Sequence, residues 1–92
     1  MNESFDCVWD AIEDTPGEAL NMRLRSDLMI LLERHIRASG LTQKDAARLL
    51  GVTQPRVSDL LSGKIDRFSV DALVNMAAAA GLYIELKVMN AA

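Results

Sequence analysis

Residues 42–64 read TQKDAARLLGVTQPRVSDLLSGK, and this stretch decides the fold. Thr42 and Thr53 are helix-capping residue types, and each precedes a short segment with apolar residues at helical spacing. Gly51 lies between the two segments, where it tolerates the left-handed backbone of a tight turn. The stretch therefore predicts two short helices joined by a tight turn, with Pro55 in the first turn of the second helix.

The second of these helices has an apolar side and a polar side. Val57 and Leu60 lie on its apolar side, and Ala47 in the first helix is small enough to let the two helices pack closely. This pattern matches the helix-turn-helix, whose second helix enters the major groove of DNA. The alternative is an ordinary helical hairpin in a small bundle, but the polar side chains exposed on the second helix favour DNA binding. The polar side contains Gln54, Arg56, Ser58 and Asp59.

The charge of the chain is unevenly distributed. The 92 residues have a net charge of −3, which by itself opposes binding to DNA. However, residues 1–33 have a net charge of −6, residues 34–67 of +4 and residues 68–92 of −1. The two-helix motif lies in the basic segment, which removes the conflict. The cations expected to contact phosphate are Lys44, Arg56 and Lys64.

The chemistry of the polar side chains in the two-helix motif predicts which part of the DNA each would contact. Gln54 is suited to a bidentate contact with adenine, Arg56 to guanine or a phosphate, and Ser58 to either role. Asp59 would either accept a hydrogen bond from a cytosine amino group or repel the DNA backbone. Gln43, at a helix N-terminus, is suited to a phosphate contact. Capping alone remains the alternative for Gln43 and Thr53.

The remaining sequence predicts further helices. Thr15 and Glu18 have the spacing of a capping box, which predicts a long helix that ends near Gly40. Another helix is expected between Ser69 and Gly81. The long helix carries an apolar stripe that is expected to face the core, made of Leu24, Leu28, Leu31, Leu32 and Ile36.

After Gly81, the spacing of the apolar residues changes from helical spacing to alternation. Residues 82–89 alternate, which predicts one β-strand with Ile84, Leu86 and Val88 on one face and Tyr83 on the other. A single strand needs a partner, so we expect two copies of the chain to pair their strands antiparallel in a two-fold dimer. The alternative partner is the segment 5–9 of the same chain, which also alternates. A dimer would place two recognition helices about 34 Å apart, which suits a palindromic operator.

Several classes of function find no support in the sequence. One cysteine, Cys7, and one histidine, His35, do not make a zinc site, and no glycine-rich phosphate loop is present. We therefore expect no enzyme activity, metal or cofactor. The chain has no signal peptide and no apolar run long enough to cross a membrane, so a cytoplasmic protein is expected.

The acidic N-terminus is the candidate surface for a protein partner. Residues 1–14 contain five acids and no base, interleaved with large apolar side chains. Such a segment could cover a basic RNA-binding surface. Equally, Trp9 could pack on the helices of its own chain. The apolar residues that would make a partner contact are Phe5, Val8, Trp9 and Ile12.

The sequence LTQKDAARLLGVTQPRVSDLLSGK over residues 41–64 resembles the Cro/C1 (XRE-type) helix-turn-helix family. The preceding long helix, the loop at 64–68 and the ending GLYIEL at 81–86 resemble its HigA-type antitoxin branch. The resemblance covers about residues 18–89. It implies an all-α, lambda-repressor-like bundle with a C-terminal strand that pairs across a dimer. Pro55 departs from relatives that have a second polar base-reading residue there.

The resemblance also implies a function. It implies a bacterial repressor that binds its own operator and sequesters a ribonuclease toxin of the RelE/HigB type. Its base-reading positions correspond to Gln54, Arg56, Ser58 and Asp59, and its phosphate-binding position to Gln43. The alternatives are a stand-alone repressor and an adaptor that binds protein instead of DNA. The expected organisation is an acidic segment at 1–17, a DNA-binding domain at 18–81 and a dimerisation tail at 82–92.

Overall fold

The structure is a computed structural model that describes residues 15–90, and every regular element in this range is a helix. Residues 82–90, here called the C-terminal segment, have no regular secondary structure. The predicted all-α class is therefore confirmed for the described residues. In chain order the elements are α1 (Pro16–Ser39), α2 (Gln43–Leu50), α3 (Gln54–Leu61), a 3₁₀ helix (Ile65–Arg67) and α4 (Val70–Ala79).

Each α-helix begins at the capping residue that the sequence indicates. Thr15 accepts a hydrogen bond from the Glu18 N–H at 3.0 Å and donates its own N–H to Glu18 Oε1 at 3.2 Å, which completes the predicted capping box. Thr42, Thr53 and Ser69 cap the other three helices through their hydroxyl oxygens. These caps satisfy N–H groups that a helix cannot pair internally, and so they fix where each helix starts.

The turn between α2 and α3 has the predicted form. Gly51 ends α2 with a φ of 70°, a conformation that a side chain would strain. The Val52 N–H then donates to the Ala47 carbonyl at 3.0 Å. Ala47 and Val57 are both buried in the core beneath the turn. The small side chain of Ala47 thus lets α2 and α3 pack closely and fixes the direction of α3.

One core forms between the helices, with α1 packed on α4 and α2 packed on α3. All four α-helices contribute to it, and the α3–α4 loop contributes Phe68, which the sequence did not single out. The fully buried large side chains are Leu32, Val57, Leu60 and Leu73.

The apolar stripe predicted for α1 is only partly correct. Leu32 and Ile36 are buried and Leu28 is partly buried, but Leu24 and Leu31 are exposed. Met29, which lies on the other side of Leu32 around the helix, is buried instead. The core therefore meets α1 at a position rotated from the centre of the stripe, and part of the leucine stripe remains uncovered.

The predicted C-terminal strand is not formed within the described single chain. The backbone leaves α4 at Gly81, and the Leu82 N–H donates to the Ala77 carbonyl at 2.9 Å. Beyond this bond, residues 83–89 make no backbone hydrogen bond with residues 15–90. The alternative pairing with residues 5–9 lies outside the described residues. A β-strand is defined by pairing, so this segment is a strand only if something pairs with it.

Candidate nucleic-acid interface

The N-terminal turns of α2 and α3 present exposed polar side chains. Gln43 and Lys44 are exposed at the start of α2, as are Gln54 and Ser58 on α3. None of these four side chains has a hydrogen-bond or ion-pair partner among residues 15–90. Polar groups without internal partners are available to a polar ligand. We call these four residues, together with Thr53, the recognition tip.

The outward face of α3 is set by helical geometry. Val57 and Leu60 anchor its inner face in the core. Gln54 and Ser58 are four residues apart, so their side chains are neighbours on the exposed surface of the helix. Thr53 accepts a hydrogen bond from the Arg56 N–H at 3.4 Å, which assigns its hydroxyl to capping. The rigid core thus holds an amide and a hydroxyl side by side on an exposed helix.

Arg56 is directed towards the α3–α4 loop. Its guanidinium carbon lies 4.1 Å from the centre of the Phe68 ring, a cation–π contact. The same guanidinium donates through Nη1 to the Arg67 carbonyl. A base contact by Arg56 would have to use its remaining N–H groups or follow its release from the loop. In the unbound chain, this residue connects α3 to the loop that follows.

Asp59 accepts contacts from two cations of the same loop. Its carboxylate oxygens lie 3.5 Å from Lys64 Nζ and 3.2 Å from Arg67 Nη1, and its side chain is only 15% exposed. Desolvation raises the pKa of this carboxyl, but the hydrogen bond from Arg67 and the charges of Arg67 and Lys64 outweigh it and lower the pKa below its ordinary value. Asp59 therefore has a structural role in the unbound chain, and half of the charge of Lys64 and Arg67 is compensated locally.

A third arginine holds the loop from the other side. Arg25 on α1 donates through Nη1 to the Ile65 carbonyl at 3.1 Å, while its Nε donates to Asn21 Oδ1 at 2.7 Å. Together with the contacts of Arg56 and Asp59, this bond fixes the α3–α4 loop to both α1 and α3. Arg25 and Phe68 could not be predicted as loop anchors from the sequence, because contacts between residues so far apart in the chain leave no local pattern.

The predicted phosphate-contacting cations differ in availability. Lys44 has no acidic partner among residues 15–90, whereas Lys64 is paired with Asp59 and Arg56 is bound to the loop. Arg48, on the same helix as Lys44, lies 3.9 Å from Asp45. Phosphate binding by Lys64 would compete with an existing ion pair. Lys44 is therefore the cation most ready to bind phosphate.

The other predicted contact residues fall into two groups. Tyr83, Ile84, Leu86 and Val88 lie in the C-terminal segment and are all exposed. Phe5, Val8, Trp9 and Ile12 lie outside the described residues. Within residues 15–90 there is no group of three or more His, Cys, Asp or Glu side chains that could hold a metal ion. In the same range, every helix is too short or too polar to cross a lipid bilayer.

Comparison with known proteins agrees with this geometry. A family model described as a helix-turn-helix domain (HTH_37) matches residues 11–89. A solved structure provisionally named as an XRE-family transcriptional regulator is 30% identical, with a TM-score of 0.73 over 78% of this chain and 81% of that chain. A search of curated proteins found no match. The capped two-helix motif, the family match and the structural match agree: the chain belongs to the helix-turn-helix domain family and is of the XRE type.

Proposed function

We propose that this protein is a sequence-specific DNA-binding transcriptional repressor. The observation that carries the proposal is the recognition tip, where Gln54 and Ser58 share an exposed helix face without internal partners. A glutamine amide pairs bidentately with adenine in the major groove, and a serine hydroxyl pairs with a base or a phosphate. Lys44 and Gln43 supply a cation and a helix N-terminus for the DNA backbone. Such a repressor acts in the bacterial cytoplasm, where its operator is.

The structure favours Gln54 over Arg56 and Asp59 as the primary base-reading residue. Arg56 and Asp59 already have partners in the α3–α4 loop, and leaving those partners has a cost that Gln54 does not have. Arg56 and Asp59 therefore act first by holding the loop against α3. Their direct base contacts remain a secondary part of the proposal.

The test is a comparison of Gln54→Ala with Gln43→Ala on DNA from upstream of the gene and on a scrambled duplex of the same length. Gln54→Ala should weaken specific binding by about 1–3 kcal/mol while leaving binding to the scrambled duplex unchanged. Gln43→Ala should weaken binding to both duplexes similarly, because a phosphate contact carries no sequence information. Fluorescence anisotropy at fixed salt measures both affinities. An unchanged ratio of the two affinities in Gln54→Ala would overturn the assignment of Gln54.

We propose further that the repressor acts as a two-fold dimer on a palindromic operator. The support is the C-terminal segment, which exposes Tyr83, Leu86 and Val88 and leaves the backbone of residues 83–89 unpaired. Removing residues 82–92 should give a monomer by analytical ultracentrifugation. A truncated chain that still sediments as a dimer would contradict pairing through this segment.

A second candidate function, neutralisation of a toxin, is favoured by the acidic N-terminus. Five acids and no base in residues 1–14, interleaved with Phe5, Val8, Trp9 and Ile12, suit a basic partner such as a ribonuclease of the RelE/HigB type. The test is co-purification with the product of an adjacent gene that encodes a small basic protein. Deletion of residues 1–14 should abolish that complex and leave operator binding intact. Absence of such a complex leaves a stand-alone repressor, and absence of any specific DNA binding leaves the adaptor.

A further inference from the structure

A cavity of about 480 Å³ lies between α1, the α3–α4 loop and the first turn of α4. This volume falls within the range of small-molecule sites, roughly 300–1,000 Å³. Three arginines line the cavity, Arg25 from α1, Arg56 from α3 and Arg67 from the loop. The recognition tip contributes no residue to it. We call this site the arginine cavity.

Two of the three arginines, Arg25 and Arg56, have no acidic partner among residues 15–90. The groups that hold them are all uncharged: the Asn21 amide, the Met22 sulfur, the Ile65 and Arg67 carbonyls and the Phe68 ring. Their side chains are therefore held in place while their charges are not compensated by an ion pair. A ligand that binds side chains already held in place has less conformational entropy to overcome.

The polar side chains around the cavity are mainly hydrogen-bond donors. Asn21 Oδ1 accepts from Arg25 Nε at 2.7 Å, which leaves the Asn21 amide N–H groups without an acceptor among residues 15–90. Ser69 Oγ accepts from the Ala72 N–H at 3.0 Å, so its hydroxyl proton is available to donate. An arginine has only donors, and the internal bonds of Arg56 use few of them. Such a lining suits a ligand that only accepts hydrogen bonds, namely an oxyanion.

The number of arginines favours a phosphate group over a carboxylate. A single arginine can satisfy both oxygens of a carboxylate through its bidentate fork. A phosphate monoester has three terminal oxygens and a charge of about −1.5 to −2 at pH 7, so it can use N–H groups from more than one arginine. Val70 and Ala72 add apolar side chains to the wall beside these arginines. These side chains suit the organic part of a phosphate ester.

An acid at the same cavity opposes anion binding. Among the described residues that line the cavity, Asp66 alone is acidic. Its side chain is exposed and has no cationic partner among residues 15–90. The arginines still outnumber it, even though Arg67 shares its charge with Asp59. Asp66 should therefore lower the affinity for an anion without preventing its binding.

We propose that the arginine cavity binds a small phosphate ester, with Arg25 and Arg56 as the main phosphate-binding residues. The ligand bridges α1 and α3, and so it reinforces the contacts that hold the α3–α4 loop. It also holds Arg56 on the loop side of α3 and adds negative charge beside that helix. Binding of the ester should therefore weaken binding to DNA. This last consequence rests on the proposed function, whereas the binding site itself does not.

Titration of the full chain with phenyl phosphate tests the site. Two-dimensional NMR spectra follow the backbone N–H groups of residues 65–72 and the side-chain Nε–H groups of Arg25 and Arg56. These signals should shift and reach saturation. Phenol, which lacks the phosphate, and chloride at the same ionic strength should produce no saturable shift. Shifts that never saturate, or that phenol reproduces, would overturn the proposal and indicate non-specific binding.

The two arginines in the first half of α1 provide a matched pair of variants. Arg25→Gln removes a charge from the cavity and should weaken binding of phenyl phosphate by about tenfold or more. Arg23→Gln removes the same charge from an exposed position outside the cavity and should change the affinity by less than about twofold. Arg25→Lys keeps the charge but loses the fork, so its affinity should lie between the two. Equal affinities of Arg25→Gln and Arg23→Gln would contradict the site.

Replacing the opposing acid gives a result that a misfolded protein would not produce. Asp66→Asn removes the repulsion and should strengthen binding of phenyl phosphate by about twofold to fivefold. Unchanged or weaker binding in this variant would mean that the phosphate does not lie in the arginine cavity. Circular dichroism checks that Arg25→Gln, which loses a contact to the loop, is still folded.

Binding to DNA distinguishes a free ester from the phosphate backbone of DNA as the occupant. At constant ionic strength, phenyl phosphate should weaken operator binding by the wild type but not by Arg25→Gln, as measured by fluorescence anisotropy. If Arg25→Gln loses affinity for a scrambled duplex and the free wild-type chain shows no saturable shift, the cavity serves DNA and the proposal is overturned. A saturable shift without an effect on the operator would reject only the link to DNA. A saturable shift in a chain without specific DNA binding would reject the proposed function and support the cavity.

Discussion

The recognition tip and the C-terminal segment are both exposed, but they are exposed in opposite ways. At the tip, the helix ends are capped, the turn is hydrogen-bonded and the exposed side chains are polar. In the C-terminal segment, the backbone of residues 83–89 is unpaired and the exposed side chains are mostly apolar. A single chain therefore completes the region proposed to read DNA and leaves unpaired the backbone of the segment proposed to form the dimer.

The two regions also depend on the core to different degrees. The tip is a direct extension of the core, because Val57 and Leu60 of α3 are fully buried beneath it. In the C-terminal segment only Leu82 packs on the core, and the side chains beyond Ile84 project into solvent. Damage to the core should therefore affect the tip first, whereas damage to the segment should affect assembly first.

The largest effect is expected when a buried leucine beneath the recognition tip is replaced, and the matching change is an exposed leucine of the C-terminal segment. Leu60→Ala removes a fully buried side chain and should lower the free energy of unfolding by about 2–5 kcal/mol. Leu86→Ala removes an exposed side chain and should change the stability of the monomer by less than about 0.5 kcal/mol, while weakening the dimer. Urea denaturation measures both values.

The denaturation must be done at a concentration so low that the midpoint no longer depends on it, because dimerisation stabilises the folded state by mass action. At high concentration, Leu86→Ala should then show a lower midpoint than the wild type. A large loss of monomer stability in Leu86→Ala would mean that the segment is part of the core after all.

The sequence predicted the recognition tip more completely than it predicted the rest. Thr42, Gly51 and Thr53 act through their nearest neighbours in the chain, so the local sequence is enough to predict the caps and the turn that they form. The uncovered side of α1 was not predictable in this way. Periodicity shows that Leu24 and Leu31 belong to an apolar face, but not which half of that face another element covers.

The loop-holding roles of Arg56 and Asp59 could not be predicted from the sequence, for a related reason. Both residues were predicted from their position on the polar side of α3, and both are partly buried there. Their partners, Arg67 and Phe68, come from the following loop, whose path is set by tertiary packing. The C-terminal strand shows the same limit, since its alternation is local but its hydrogen bonds must come from elsewhere.

A smaller effect is expected from loss of the Thr53 cap at the start of α3, which tests whether the recognition tip folds within a single chain. Thr53→Ala leaves the Arg56 N–H without its acceptor and should lower the free energy of unfolding by about 1 kcal/mol, at any protein concentration. Thr53→Ser keeps the hydroxyl and should retain most of the stability. If Thr53→Ala acts only at concentrations where the chain is dimeric, the tip depends on assembly.

The smallest predicted effect is a pH dependence within the tip region, carried by Asp59. Its pKa is lower in the folded chain than its ordinary value of 3.8, so its ion pairs with Lys64 and Arg67 stabilise the fold when the carboxyl is ionised. This stabilisation is fully present above the unfolded pKa and is lost as the pH falls through the lower folded pKa. Wild type should therefore exceed Asp59→Asn in stability by a constant amount at neutral pH, and the difference should shrink below about pH 4.

The control is Glu85→Gln, which removes one acid from the other region and corrects for the change in net charge. Thermal unfolding of dilute protein between pH 2.5 and 7 measures the three curves, with these limits chosen to bracket the ordinary range of carboxyl groups, about 3–5. Parallel curves for wild type and Asp59→Asn over this whole range would show that the α3–α4 loop is held by Arg25 and Arg56 without help from Asp59.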